Sequence, residues 1–182
     1  DIDEFIEKYI NNNYIIEEIL LVKAHIRTKN NFFELYGVNE IVIKGIHSKV
    51  VHLEVFIDGN HLERFCGDGM IVSTPAGSTA YNFASGGSIV YPSLRILQMT
   101  PLSPISSNAY RSLLNSTIVP GDIDITIKPE YRYENSILVI VDGIEHKYDD
   151  ITEINFTVPE KTIFKLNLDK DMYWNNLKSK FL

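Results

Sequence analysis

The amino-acid sequence predicts a mainly β protein, an antiparallel, β-sandwich-like domain of about ten short strands with short terminal helices. Many short segments alternate apolar and polar residues with a period of two, which is typical of half-buried strands. Glycine, proline and asparagine turns separate these segments, and strands do not alternate with helices as they do in a parallel doubly wound sheet. The 182 residues are enough for one well-filled core, so we expect residues 1–182 to form a single domain.

Helices are predicted at the two ends of the chain. In residues 2–10 apolar side chains recur at i, i+3, i+4, i+7 and i+8, and the asparagines at 11–13 end this helix. In residues 173–181 three aromatic or aliphatic side chains follow one another at intervals of four. Both patterns predict an amphipathic helix.

Strands account for most of the sequence between these helices. Residues 22–27 alternate strictly between apolar and polar side chains, and Asp58-Gly59 is a strong signal for a two-residue hairpin turn. Two prolines, at 101 and 104, predict an irregular stretch that reaches from Pro92 to Ser116. The predicted strands cover residues 18–27, 32–36, 40–44, 51–57, 61–65, 70–74, the region of 118, 122–128, 137–142, 154–158 and 162–168.

The composition excludes several classes of partner. A net charge of −7 gives no attraction to nucleic acid or to anionic lipid. The longest aliphatic run, Ile137–Val141, is far shorter than the roughly 20 residues of a membrane span. The N-terminus carries no signal-peptide pattern, so we expect a cytoplasmic protein without a membrane partner.

Disulfide and metal chemistry have little support in the sequence. The single cysteine, Cys66, excludes an internal disulfide, and the five histidines lack metal-ligand spacing, so no metal site is predicted. The chain starts at Asp1 instead of methionine, and we expect it to be part of a longer protein.

A glycine-rich, almost uncharged segment is the main candidate for a binding site. Residues 65–94 contain one charged side chain, that of Asp68, and six of the ten glycines lie between residues 59 and 87. Six hydroxyl side chains lie within thirteen positions of the segment, at 73, 74, 78, 79, 81 and 85. This composition favours a ligand bound by hydrogen bonds, although a polar loop that caps a helix explains it equally well.

A short helix at 81–85 is predicted inside this segment, with Ser78 or Thr79 as its N-cap and Gly86 just after its end. The free N–H groups that open the helix favour an anion or a carbonyl oxygen. Tyr81 offers a flat face to a base. No Lys or Arg lies between 64 and 95, and the segment matches neither a P-loop nor GxGxxG, so nucleoside moieties fit better than polyphosphate.

Three other places have both a functional and a structural interpretation. Asn39-Glu40, at the start of a strand, suits purine and ribose edges, but such a pair is more often a solvated turn. Asp142-Gly143 is more simply a hairpin turn. Cys66 is either a reactive thiol or, more simply, an inert half-buried one.

Four motifs, in this order and spacing, resemble the C-terminal domain of the ATP-dependent NAD kinases. The resemblance covers nearly the whole chain, and the C-terminal helix with Trp174 is similar to that of Gram-positive bacterial members. The longest motif, with its STPxGSTAY core, is highly specific, while the others would mean little alone. The motifs are VNEIVIKG (38–45), GDGMIVSTPAGSTAYNFASGGSIVYP (67–92), MTPLSP (99–104) and VDGIE (141–145).

The resemblance implies a β-rich domain that binds NAD, within an enzyme that transfers the γ-phosphoryl group of ATP to the 2′-hydroxyl of the adenosine ribose, giving NADP. It implies a divalent metal such as Mg with ATP, and a homo-oligomer, dimer or tetramer. By their place in the motifs, the implied binding residues are Asn39 for the adenine part, Glu40 for the ribose region, Thr79 and Tyr81 for the adenine pocket, Ala80 near the nicotinamide, Asp68 for the nicotinamide carboxamide or a neighbouring hydroxyl, and Asp142 as support from the adjacent turn. Cys66, Ser78 and Ala84 are additional candidates.

The chain departs from the family pattern in several ways. It has no GGDG motif, which in the family belongs to an N-terminal α/β domain and supplies the catalytic aspartate, so no catalytic residue is expected in this chain. Ala76, Ala84, Ser88 and Cys66 replace residues that are usual in relatives. Two other classes remain open, a non-catalytic dinucleotide sensor or sugar-binding module and the C-terminal domain of a related lipid kinase.

Overall fold

A computed structural model describes residues 2–106, 111–130, 137–168 and 172–182. The chain is divided into two compact units, one formed by Asp1–Ile19 with Thr162–Leu182 and the other by Leu20–Lys161. No helix among the described residues is long and apolar enough to cross a bilayer.

The smaller unit pairs the two ends of the chain. Helix α1 (Ile2–Ile10) begins with acidic residues in its first turn, where the helix dipole favours them, and strand β1 (Ile15–Ile19) follows it. Strand β14 (Ile163–Asn167) lies antiparallel to β1, and helix α3 (Met172–Phe181) comes last. Both predicted terminal helices are therefore present, and α1 keeps its apolar stripe exposed.

The larger unit is a sandwich of antiparallel strands. Its first sheet has the order β3-β2-β13-β10-β5-β6, and its second sheet has the order β12-β11-β4-β7-β8-β9. The strands are β2 Val22–Thr28, β3 Phe32–Gly37, β4 Glu40–Gly45, β5 Val51–Ile57, β6 Asn60–Gly67, β7 Gly69–Ser73, β8 Ile96–Leu102, β9 Thr117–Pro120, β10 Ile125–Pro129, β11 Ile137–Val141, β12 Ile144–His146 and β13 Ile151–Thr157.

One hydrophobic core lies within this unit and draws on both sheets. Ile26 and Phe156 come from the first sheet, Ile41 and Met70 come from the second, and all four side chains are almost completely buried. Alternate residues of each strand supply this core, as period-two patterning requires. The predicted antiparallel, mainly β fold is confirmed, with 14 strands among the described residues.

Strand β8 corrects the prediction of an irregular stretch from Pro92 to Ser116. Residues 96–102 form a strand between β7 and β9, and Pro101 pairs with Met70. Strand β9 pairs only with residues 96–99, so Pro101 lies beyond the end of β9, and the pairing with β9 does not need the N–H that proline lacks. Residues 107–110 of the predicted stretch lie outside the described part of the chain.

The short helix also differs from its prediction. Helix α2 (Tyr81–Ala84) has four residues and follows a 3₁₀ turn at Ala76–Thr79. Ala80 occupies the cap position and makes no side-chain cap, and its N–H donates to the carbonyl of Gly77 at 2.9 Å. The predicted Ser78 or Thr79 N-cap is therefore wrong, because the 3₁₀ turn uses these residues first. Gly86 follows the helix with φ +85°, as predicted.

Candidate functional site

The Asn39-Glu40 turn is fixed by one carboxylate. Asp142 accepts hydrogen bonds from the backbone N–H groups of Val38 at 2.7 Å, Asn39 at 2.8 Å and Glu40 at 3.1 Å. Asp142 and Gly143 form the two-residue turn between β11 and β12, with φ values of 46° and 86°. Asp142 therefore lies in the predicted hairpin turn and also supports the backbone of the Asn39-Glu40 turn.

The other side of the Asn39-Glu40 turn is fixed by residues 73–77, the STPAG part of the long motif. The hydroxyl of Thr74 donates to the carbonyl of Val38 at 2.6 Å, and the N–H of Thr74 donates to the carbonyl of Asn39 at 2.9 Å. A Cβ atom at Gly77 would overlap the carbonyl group of Asn39, so only glycine allows the two segments to approach so closely. The backbone at Asn39-Glu40 is therefore preorganised before any ligand binds.

Glu40 is the chemically unusual group of the site. Its side chain is only 7% exposed, and its Oε2 atom has no hydrogen-bond partner among the described residues. Burial, followed by the nearby charge of Asp142, raises the pKa of Glu40 to about 7. An unpartnered buried carboxyl oxygen is costly in a folded chain, and a hydroxyl or amine of a ligand would satisfy it.

A buried polar network holds α2 on the outer face of the second sheet. The amide of Asn82 accepts from the Thr100 hydroxyl at 2.6 Å and donates to Gln98 Oε1 at 3.1 Å. Gln98 also bonds both backbone groups of Ser88, at 2.7 and 3.1 Å. A Cβ at Gly87 would overlap the Asn82 amide, which explains the second glycine of the GG pair.

Tyr81 projects from α2 toward the far end of β4. Its ring is 40% exposed, and the ammonium group of Lys44 lies 5.6 Å from the ring centroid. This arrangement leaves part of the aromatic face available, as the prediction of a base-stacking residue requires.

Asp68 is not part of the Asn39-Glu40 cluster. It is exposed between β6 and β7, and its N–H donates to the carbonyl of Leu102 at 2.9 Å. Glu40 pairs with Ser73 and Lys44 pairs with Gly69, the neighbour of Asp68, so the length of β4 separates the two places. Four residues of strand correspond to about 13 Å. The structure thus brings Asn39, Glu40 and Asp142 together and places Asp68 and Tyr81 toward the other end of the strand.

The remaining predicted residues lie in three kinds of surroundings. Ser78 is completely buried; its hydroxyl donates to the carbonyl of Pro75 at 2.7 Å and accepts from the N–H of Val90 at 3.0 Å. Thr79 and Ala80 are half-buried near the start of α2, and Ala84 is exposed at its end. Cys66 is buried, and burial and then the charge of Glu130 raise the pKa of its thiol, which favours an inert thiol.

Two features of the site could not be found from local patterns. From the sequence, the hydroxyl of Thr74 is a potential ligand contact. In the structure it instead donates to the backbone carbonyl of Val38. Lys44 is separated from the uncharged segment by more than twenty residues, and only β4–β7 pairing brings it beside Asp68. The available signal was the alternation along β4, which puts Lys44 on the same face as Val42.

The donor set of a metal site needs several His, Cys, Asp or Glu groups close together. Within the described ranges, no group of three His, Cys, Asp or Glu side chains is placed to hold a metal ion. The divalent metal implied by the family resemblance has no matching donor set among these described residues.

Known proteins match this chain along most of its length. The family model of the ATP-NAD kinase C-terminal domain matches residues 38–159. The NAD kinase of Finegoldia magna is 48% identical over the whole chain, and that of Leuconostoc mesenteroides is 34% identical over the whole chain. The chain spans 68% of the length of each of these two relatives.

Two solved structures share the fold of this chain. The crystal structure of yeast NADH kinase complexed with NADH superposes with a TM-score of 0.86 at 25% identity, over 97% of this chain and 51% of that one. An NAD kinase from Archaeoglobus fulgidus in complex with ATP shares the fold, with a TM-score of 0.76 at 22% identity, over 99% of this chain and 65% of that one. With the sequence motifs and the sandwich of sheets, these matches establish that the chain belongs to the NAD kinase family and contains its C-terminal domain.

Proposed function

We propose that this chain binds NAD for an NAD kinase, which transfers the γ-phosphoryl group of ATP to the 2′-hydroxyl of the adenosine ribose and forms NADP. The observation that carries the proposal is the unpartnered Oε2 of Glu40 on a turn that Asp142 and Thr74 hold rigid. A carboxyl group in this position accepts from a ribose hydroxyl when ionised and donates when protonated. From their position in the family motif, we propose that Asn39 and Glu40 contact the adenosine end of the dinucleotide.

The remaining proposed contacts lie farther along the same sheet. A dinucleotide laid over the outer face of the second sheet would meet Asn39 and Glu40 at one end and Asp68 about 13 Å farther along β4. Tyr81, which lies toward the Asp68 end of β4, would contribute its exposed ring to a base. We propose Thr79, Ala80 and Asp142 as further binding residues, with Asp142 acting through the backbone it holds.

We propose that catalysis requires residues outside this chain. Phosphoryl transfer depends mainly on positioning and on electrostatic stabilisation of the transferred group. The GGDG motif that supplies the family's catalytic aspartate does not occur in the 182 residues, so we propose that this chain orients NAD and that the aspartate lies in sequence outside it. ATP is proposed as the phosphoryl donor, and a divalent metal is proposed to arrive with ATP.

Binding of NAD to the chain tests the proposal directly. By titration calorimetry we expect Asp68→Asn to weaken NAD binding roughly 10- to 100-fold, because a charge-assisted hydrogen bond contributes about 1.5–3 kcal/mol. Asp58→Asn is the matched control, since Asp58 is an exposed turn carboxylate outside the site. Unchanged affinity in the Asp68 variant would remove Asp68 from the site, and absence of NAD binding by the wild-type chain would contradict the proposal.

We further propose a cytoplasmic homo-oligomer, a dimer or a tetramer. Strand β3 is an edge strand of the first sheet, and its Phe32 side chain is 75% exposed. An exposed aromatic residue on an unpaired edge is a common element of subunit interfaces. Light scattering of the wild-type chain and of Phe32→Ser tests this assembly, and a wild-type mass equal to one chain would contradict it.

A further inference from the structure

A cleft of about 470 Å³ opens at the end of the second sheet that is opposite the Asn39-Glu40 turn. Lys44 and the loop that follows β4 form one side, and residues of β11 and the end of the β12 region form the other. Ile46, Leu138 and Ile140 are its large apolar residues, and Asp68 lies at its wall. The cleft therefore combines an apolar surface with charged side chains.

Lysines outnumber carboxylates by three to two in this cleft. Lys44, Lys49 and Lys147 line it together with His47, against the carboxylates of Asp68 and Glu145. Among the described residues none of these three lysines forms an ion pair, although elsewhere on the surface Lys23 pairs with Glu34 at 2.7 Å and Lys128 pairs with Glu153 at 3.0 Å. Three lysines without an ion pair among the described residues, around one cleft of a chain with net charge −7, indicate a local site for an anion.

The loop that presents Lys49 is tightly folded. A Cβ atom at Gly45 would overlap the carbonyl of Lys49, so the loop closes on itself only with glycine at this position. His47 and Ser48 have φ values of 54° and 58°, in the left-handed region that non-glycine residues rarely adopt. Such conformations persist where the surroundings enforce them, and they are frequent at ligand sites.

We propose that this cleft binds a phosphate-bearing ligand, with Lys44, Lys49 and Lys147 around the phosphate and Asp68 accepting from a neighbouring hydroxyl or amide. Three ammonium groups suit a multivalent anion, and the carboxylate selects a ligand that also carries a donor. Two sources have this chemistry, namely the phosphates of the dinucleotide proposed above and a separate phosphorylated ligand.

The first experiment uses inorganic pyrophosphate as the probe, in titration calorimetry of the whole chain at low and at moderate salt. We expect Lys44→Gln, Lys49→Gln and Lys147→Gln each to weaken pyrophosphate binding roughly three- to tenfold. Added salt should weaken the binding to the wild type as well. Lys161→Gln is the matched control, since it removes one exposed positive charge outside the cleft and should leave the affinity unchanged. Undetectable pyrophosphate binding, or equal effects of all four variants, would overturn the proposal.

The second experiment separates the two sources and keeps this proposal distinct from the proposed function. NAD and NADP are titrated into the three cleft variants and into Asn39→Ala. If the cleft variants and Asn39→Ala all weaken NAD binding, the cleft holds the phosphates of the dinucleotide. If the cleft variants affect only pyrophosphate, the cleft serves a separate ligand. If the chain binds pyrophosphate in the cleft but binds no NAD, the cleft site stands and the proposed function fails.

Discussion

Three consecutive backbone N–H groups converge on Asp142, which makes this side chain a positioning residue. It binds Val38, Asn39 and Glu40 through both carboxylate oxygens, and each of these bonds is 3.1 Å or shorter. A carboxylate suits this place because it only accepts hydrogen bonds, whereas an amide turns an NH₂ group toward one of the donors.

At the residue scale, Asp142→Asn should therefore lower the free energy of unfolding by about 1–3 kcal/mol, because at least one backbone N–H loses its acceptor. It should also weaken NAD binding, since the Asn39-Glu40 turn loses its support. Urea denaturation and calorimetry measure the two effects. Asp58→Asn is a matched control, because Asp58 also begins an Asp-Gly turn with positive φ. Equal losses in the two variants would contradict the positioning role.

A second residue-scale prediction concerns pH. The pKa of Glu40 is raised to about 7 in the folded chain, above its ordinary value of 4.5, so the folded state holds the proton more tightly than the unfolded state. Stability from this group is therefore complete below pH 4.5 and is lost as the pH rises toward 7.

The test compares wild type with Glu40→Gln, whose side chain stays neutral. Between pH 5 and pH 8 we expect the wild type to lose about 1–3 kcal/mol more unfolding free energy than the variant. Urea denaturation at several pH values measures this difference. Parallel pH profiles for the two proteins would show that Glu40 does not titrate in this range.

At the scale of elements, local sequence patterns predicted most of the strands. They failed where contacts between residues far apart in the sequence determine the structure. Period-two alternation predicted β2 and β5 with their buried faces, and the Asp58-Gly59 turn joined β5 to β6 as expected. Strand β8 was not predicted because a proline within a segment argues against a strand. The strand accommodates Pro101 because β9 ends before it, and the sequence near Pro101 does not show this. The N-cap prediction for Ser78 failed for a similar reason, since its hydroxyl binds Val90, twelve residues away.

The same distinction applies to the site. The motif predicted Asn39, Glu40 and Asp142 as binding residues, and the structure places the three residues close together. Their mode of contact could not be predicted, because the backbone-to-carboxylate bonds join positions more than one hundred residues apart. The cleft could not be predicted because its lysines come from two segments that are far apart in the sequence, residues 44–49 and the region of Lys147.

The glycine pair after α2 provides a test of element packing. Gly87→Ala should destabilise the chain by about 2 kcal/mol or more, because the new Cβ would overlap the Asn82 amide and disturb its bonds to Gln98 and Thr100. Gly86→Ala should cost only about 1 kcal/mol, since its surroundings are open and its φ of +85° is the sole obstacle. Thermal unfolding compares the two. A larger loss at Gly86 would contradict the packing of α2 described here.

For the whole molecule, the principal core lies inside one unit. Every buried residue of the main hydrophobic cluster falls between Val22 and Phe156, so residues 20–161 contain both sheets and their shared interior. The charged outer face of the first sheet is paired within the same unit, as with Lys128 and Glu153 at 3.0 Å.

We therefore expect the fragment 20–161 to fold alone, with a single cooperative thermal transition and the β-type circular dichroism of the full chain. The complementary control is Met70→Ala in this fragment. Removing a completely buried side chain from the shared core should lower the unfolding free energy by about 2–5 kcal/mol. A fragment without a cooperative transition would show that the core cannot sustain the fold unaided.

The hydrogen bond between Asp142 and Val38 also predicts an order of events during folding. The atoms in this bond are separated by 104 positions along the chain, and closing so long a loop is slow compared with forming the local hairpins. We therefore expect the Asn39-Glu40 turn to become rigid only after the β11–β12 hairpin has docked beside β4. If this turn binds adenosine as proposed, that capacity should be among the last properties that a newly made chain acquires.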